Sequence, residues 1–189
     1  MNISVPKKVM LGLCAATLFQ VLVLGGELLA AVYPRWTGVP IRVAVEPVDP
    51  RDLFRGNYAR LGYAFSRVDA ALWQDAERPV PGQRVYVQIE QNDAGAWEAT
   101  SMSATPPSQG LFLRGRYRHF ISGANLNADG AAWQTQPDRY RIEYGIEAWF
   151  APKEKAQYVE RQLRDGAWAT VYVTDSGKAA LAELELSTH

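Results

Sequence analysis

The sequence predicts a mainly β (α+β) chain: an antiparallel barrel-like or sandwich domain with one helix in its C-terminal half, preceded by a single transmembrane helix. Three observations predict it. Beyond residue 40 the apolar residues recur almost everywhere at a period of two, the spacing of one strand face. One later segment, residues 151–166, changes to spacings of three and four, which belong to a helix. Residues 9–32 form an apolar run long enough to cross a bilayer.

The apolar run comes first in the chain. Residues 1–8, MNISVPKK, end in two lysines, and no charge follows from Val9 to Gly26. Carried to Val32 the run has 24 residues with one acid, Glu27. As a helix it is roughly 36 Å long, against a hydrocarbon core of about 30 Å. Its length and the lack of an A-x-A pattern before YPRW favour an uncleaved anchor over a signal peptide. Lys7 and Lys8 favour a cytoplasmic N-terminus, which places the C-terminal domain in the periplasm or another extracytoplasmic space. Gln20 and Glu27 are seven residues apart and share one helix face, a candidate face for a membrane partner. Residues 33–39 hold Pro34, Gly38 and two aromatics, Tyr33 and Trp36. They read as a short linker at the membrane surface, and residues 40–189 as the extracytoplasmic β-rich domain.

Within that domain IRVAVEP and YARLGYAF read as the first two strands, the second with Leu61, Tyr63 and Phe65 on one face. QRVYVQIEQ alternates Val85, Val87 and Ile89 against Tyr86, Gln88 and Glu90. The Asn92–Gly95 turn returns it into AWEATSM as a hairpin. LFLRGRYRHFI, RYRIEYGIEAWF, WATVYVTD and AALAELEL complete the set. The helix APKEKAQYVERQLRDG has Pro152 near its start, Gly166 at its end and an apolar stripe of Ala156, Val159 and Leu163. Residues 123–138 read as a polar loop around Trp133.

Composition excludes several kinds of chemistry. Twenty basic residues balance twenty acidic ones, so the basic surplus of a nucleic-acid binder is missing. The one cysteine, Cys14, lies in the apolar run, which excludes a disulfide or a thiolate metal site in the domain. His119 and His189 give no zinc spacing. No P-loop, dinucleotide fingerprint or nucleophile elbow occurs, and no cofactor or metal is expected. Glu46, Asp49 and Asp52 cluster, but Asp49-Pro50 opens turns and Arg51 and Arg55 can neutralise both aspartates. Trp97, Trp133, Trp149 and Trp168 could line a groove or fill a core.

The most distinctive stretch is VEPVDPRDLFRGNYARLGY, residues 45–63. It resembles the signature of the GDYXXLXY family of membrane-anchored proteins, and YGIEAWFAP, residues 144–152, is a second point of resemblance. The similarity spans nearly the whole chain. Asn57 stands where the family motif has Asp. Both residues tolerate a turn, so the exchange favours a structural role there. The family's biochemical activity is unassigned, and its members are often encoded beside multi-pass membrane proteins. The resemblance therefore implies a multi-pass membrane partner.

The motif also has a direct physical reading. Gly56 and Asn57 can turn the chain out of the Pro-Arg-Asp segment. Alternation then sends Leu61 and Tyr63 to the core and Tyr58 to the other face. Asp49, Arg51, Asp52, Arg55, Gly56, Asn57, Tyr58, Leu61 and Tyr63 form the candidate binding segment. The expected function is a membrane-anchored, non-enzymatic accessory or interaction protein. The alternatives are a membrane-tethered hydrolase and an extracytoplasmic glycan- or peptide-binding module. A serine–lysine hydrolase would have Ser101, expected in a loop, as nucleophile, but no lysine falls between Lys8 and Lys153.

Overall fold

The computed structural model describes residues 6–47, 58–126, 132–163 and 166–186. Helix α1 (Lys7–Thr37) is long and apolar enough to cross a membrane, and none of its most apolar stretch is buried. It continues through most of the segment that reads as a linker and ends at Thr37, with Pro34 inside it. Proline has no N–H, so the carbonyl of Ala30, four residues earlier, loses its helical partner. Lys178 Nζ, from the far end of the chain, donates to that Ala30 oxygen. Arg35 Nη2 donates to Leu181 O at 3.0 Å, so two contacts hold the helix end against the β domain.

The domain is built from two five-stranded antiparallel sheets around one core. The first runs β10 (Ala148–Phe150), β2 (Tyr58–Gly62), β1 (Val39–Pro47), β11 (Ala167–Val173), β12 (Ala179–Leu186). The second runs β3 (Arg67–Asp69), β9 (Arg139–Glu143), β6 (Phe112–Ile121), β4 (Arg84–Gln91), β5 (Trp97–Ser103). Strand alternation fills the space between them. Ile41, Val43 and Val45 of β1, Val85, Val87 and Ile89 of β4, and Val171 of β11 are all buried in one cluster. Helix α2 (Lys153–Gln162) packs on β2, and its stripe Ala156, Val159 and Leu163 is buried.

Four segments differ from their sequence reading. β2 stops at Gly62, and Ala64–Ser66 form a 3-10 turn. Ser66 N–H closes that turn on Tyr63 O at 2.9 Å, yet Tyr63 and Phe65 stay on one face, stacked 5.3 Å apart. RYRIEYGIEAWF is two strands in different sheets, β9 and β10. Between them Gly145 takes φ +84°, and the Glu147 carboxylate accepts the N–H groups of Tyr144 (2.6 Å) and Gly145 (2.8 Å). The polar segment 123–138 contains a small hairpin, β7 (Ala124–Leu126) with β8 (Ala132–Thr135). Ser101 and Met102 lie in β5, within the strand read from AWEATSM, and not in the loop that the hydrolase reading expected. Met102 belongs to the core, and the Ser101 hydroxyl donates to Gln88 Oε1 at 3.3 Å.

One glycine shows how tightly the second sheet is packed. A Cβ on Gly115, in β6, would lie 2.4 Å from Ile142 Cγ2 and 3.0 Å from both Glu143 O and Tyr144 Cδ1. Two of those three atoms belong to fully buried or backbone groups that cannot swing aside. Gly115→Ala is expected to destabilise the domain by about 2 kcal/mol. Chemical denaturation measures it, and an unchanged midpoint would show that β6 and β9 can separate without cost.

Candidate functional site

The described part of the signature is the end of β1, residues 45–47, together with β2 and the residue after it. Ala59, Leu61 and Tyr63 are fully buried, while Tyr58 is half-buried and Arg60 exposed. The two stretches that carry the family resemblance are neighbours in space. β2 pairs with β10 through Arg60 and Ala148, Ala59 and Trp149, and Tyr58 and Phe150. Leu61 N–H donates to Glu147 O at 2.8 Å. Tyr63 Oη donates to Ile146 O at 2.9 Å, and Tyr144 Oη donates to Phe65 O at 2.6 Å. The two hydroxyls tie the motif and the Tyr144–Glu147 turn together in both directions. Phe65 joins the rings, stacked on Tyr63 and edge-on to Tyr144 at 5.5 Å.

Burial dominates the electrostatics of this knot. Desolvation raises the Tyr63 hydroxyl far above its ordinary value, and the Glu147 carboxylate raises it further. Tyr144 is raised in the same way, by burial first and Glu147 second. Both phenols are therefore neutral donors at any physiological pH. Arg141 of β9 is a buried guanidinium whose pKa is lowered by burial and by Arg67 and Arg60, against the pull of Glu147 and Glu143.

Six of the sequence-predicted site residues, Asp49, Arg51, Asp52, Arg55, Gly56 and Asn57, lie outside the described residues. Their segment leaves the first sheet at Pro47, paired with Leu61, and returns at Tyr58. Leu61 and Tyr63 sit in the core. Tyr58 stays nearer the surface against Phe150, ring centroids 5.6 Å apart. Phe150 is 75% exposed on the short outer strand β10. Gln20 and Glu27 are exposed on α1.

The other candidates disperse. Trp97, Trp149 and Trp168 stand on three different strands, and among the described residues no ring contact joins any two of them. Arg42 covers Trp168 at 4.7 Å and Lys155 covers Trp149 at 5.5 Å. The Trp133 side chain lies outside the description. Glu46 is half-buried at the end of β1, and no group of three His, Cys, Asp or Glu among the described residues is placed to hold a metal. His119 is exposed on β6.

Sequence reasoning missed Glu147, which anchors the turn between the sheets, and the arginines of β6. The spelling Arg114-Gly-Arg116-Tyr-Arg118 was the available signal. A period of two puts three guanidinium groups on one face of a strand.

The family model described as GDYXXLXY protein matches residues 20–184. No curated protein and no solved structure matches the chain significantly. The match takes in the C-terminal half of α1, both hydrogen-bonded signature stretches and nearly all of the two sheets. The chain belongs to the GDYXXLXY family.

Proposed function

We propose that the chain is a membrane-tethered accessory protein, non-enzymatic, whose β domain docks on a multi-pass membrane protein outside the cytoplasm. The family match and the apolar helix fit a membrane-anchored protein. Lys7 and Lys8 favour a cytoplasmic N-terminus. The observation that carries the docking half is Phe150. A large aromatic side chain, exposed on the edge strand of the first sheet among the described residues and packed on the motif's Tyr58, is the kind of anchor that protein interfaces use. Asp49, Arg51, Asp52 and Arg55 lie in the stretch of sequence that leads into Tyr58, and charged residues are what the rim around such an anchor uses. Gln20 and Glu27 on α1 offer a second contact within the membrane.

Photo-crosslinking in native membranes tests this reading. The wild type is expected to capture one multi-pass protein. Phe150→Ala is expected to lose that product while changing stability by no more than about 0.5 kcal/mol, as exposed substitutions do. Arg51→Ala/Arg55→Ala is expected to lose it as well, with far-UV circular dichroism checking that the variant is folded. Capture unchanged in both variants would remove the docking face, and recovery of uncrosslinked chain alone would remove the partner.

A further inference from the structure

Strand β6 alternates from Phe112 to Arg118, before its pairing with β9 shifts register. Leu113, Gly115 and Tyr117 are buried, and Arg114, Arg116 and Arg118 turn to the opposite face. On that face Arg84 of β4 lies directly across from Arg116, and Glu143 of β9 lies across from it on the other side. The β11–β12 turn approaches the same place, with Gly177 O accepting Arg114 N–H at 2.7 Å. Lys178 follows in that turn. These side chains line a cleft of about 450 Å³ with Gly115 in its wall.

The charges in the cleft do not balance. Five cations face one carboxylate in a chain whose net charge is zero. That carboxylate is already engaged, since Arg118 Nε donates to Glu143 Oε2 at 2.6 Å. Arg116 donates to Gly82 O at 3.2 Å, and Arg84 has no ion pair among the described residues. Like charges directly opposite in a sheet destabilise it. An anion between Arg84 and Arg116 reverses that term, and a guanidinium fork matches phosphate oxygens two at a time.

The position of the cleft selects the source of the anion. Lys178 belongs to the cleft and also holds the Ala30 carbonyl that Pro34 leaves without a partner. From Lys8 to Ala30 the helix rises roughly 33 Å, about the thickness of the hydrocarbon core. With Lys8 at one face of the membrane, Ala30 and the cleft beside it stand at the opposite headgroup level. We propose that this cleft binds the phosphate of an anionic phospholipid in the leaflet where α1 emerges. The inference rests on α1 spanning the membrane, as the proposed function holds. It is independent of the protein partner.

The test uses the full chain in a neutral detergent, titrated separately with phosphatidylglycerol, phosphatidylcholine and inorganic phosphate. Native mass spectrometry reads retained lipid, and thermal unfolding reads stabilisation. Phosphatidylglycerol is expected to be retained and to raise Tm, phosphatidylcholine to do neither, and inorganic phosphate to act only at far higher concentration. Arg84→Gln/Arg116→Gln is expected to abolish retention while its lipid-free Tm equals or exceeds that of the wild type. If the double variant fails to fold, Arg84→Gln alone is read the same way, with at least a tenfold loss. Equal retention by wild type and variant, or an equal response to phosphatidylcholine, overturns the proposal. A response to inorganic phosphate matching that to phosphatidylglycerol overturns the lipid source. Alkaline extraction from reconstituted vesicles separates the premises. A chain that washes out refutes the tether, whereas one that stays without lipid selectivity refutes the cleft.

Discussion

Leu61→Ala is expected to lower the stability of the β domain by about 3 kcal/mol, and its Tm by about 10 °C for a domain of this size. Leu61 is fully buried. Its strand is held on both sides, paired with β1 at Pro47 and with β10 through the Leu61 N–H to Glu147 O bond. Helix α2 packs on the same strand. A cavity left by the lost side chain therefore cannot close by a backbone shift, which keeps the substitution within the range for buried leucines. Tyr58→Ala, three residues earlier on the half-buried side, is expected to cost less than half as much. Asn57→Asp, which restores the family's motif letter, is expected to leave stability within about 0.5 kcal/mol. Denaturant midpoints of the three variants read the motif directly. Equal losses at residues 58 and 61 would mean that the motif's pattern does not reflect core against surface. A large gain from Asn57→Asp would mean that the carboxylate has a partner in the fold.

This contrast also marks how far the sequence carries. Strand β4 is legible because both of its faces obey one rule: Val85, Val87 and Ile89 are buried, and Tyr86, Gln88 and Glu90 are not. Helix α2 is legible because its stripe changes period. The passage from β9 to β10 defeats the same reasoning. Tyr140, Ile142, Tyr144 and Ile146 are all buried at an unbroken period of two, yet the chain changes sheets among them. Periodicity reports which side chains face the core and not which sheet supplies the neighbours. The break was written in Gly145 and Glu147, where a positive φ and a carboxylate taking two N–H groups make a turn. The short strand β3 carries too few residues for any period to show.

The candidate site was legible in the same uneven way. The signature's alternation placed Leu61 and Tyr63 in the core. Nothing in it showed that YGIEAWF would lie alongside, because that pairing joins residues nearly ninety positions apart. The cationic face is spelled out in β6, but a net charge of zero says nothing of how the charges are distributed over the surface. Its relation to the membrane depends on Pro34, Ala30 and Lys178 together, a contact across 148 positions. A proline within a helix announces an unpaired carbonyl, but only the fold names the donor.

Alkaline pH should act on the motif's second tyrosine and its counterpart. Tyr63 and Tyr144 are buried, donate to backbone carbonyls and face Glu147, and each of these favours the neutral phenol. In the unfolded chain both ionise near the ordinary value of 10. Above that pH the unfolded state releases two protons that the folded state retains. Stability is then fully present below about pH 10 and falls as pH rises past it, by about 1.4 kcal/mol per pH unit for each group. Near pH 11 the combined loss is about 3 kcal/mol. Denaturant titrations at about pH 8 and pH 11 measure it on the detergent-solubilised chain. Tyr63→Phe costs about 1 kcal/mol at the lower pH by removing the bond to Ile146 O, and it should halve the tyrosine share of the pH slope. Tyr63→Phe/Tyr144→Phe should abolish that share, leaving only the slope that the other ionisable groups give to every variant. Identical slopes for the wild type and the double variant would mean that these phenols ionise inside the folded domain, and that the knot between the two signature stretches opens to water without unfolding it.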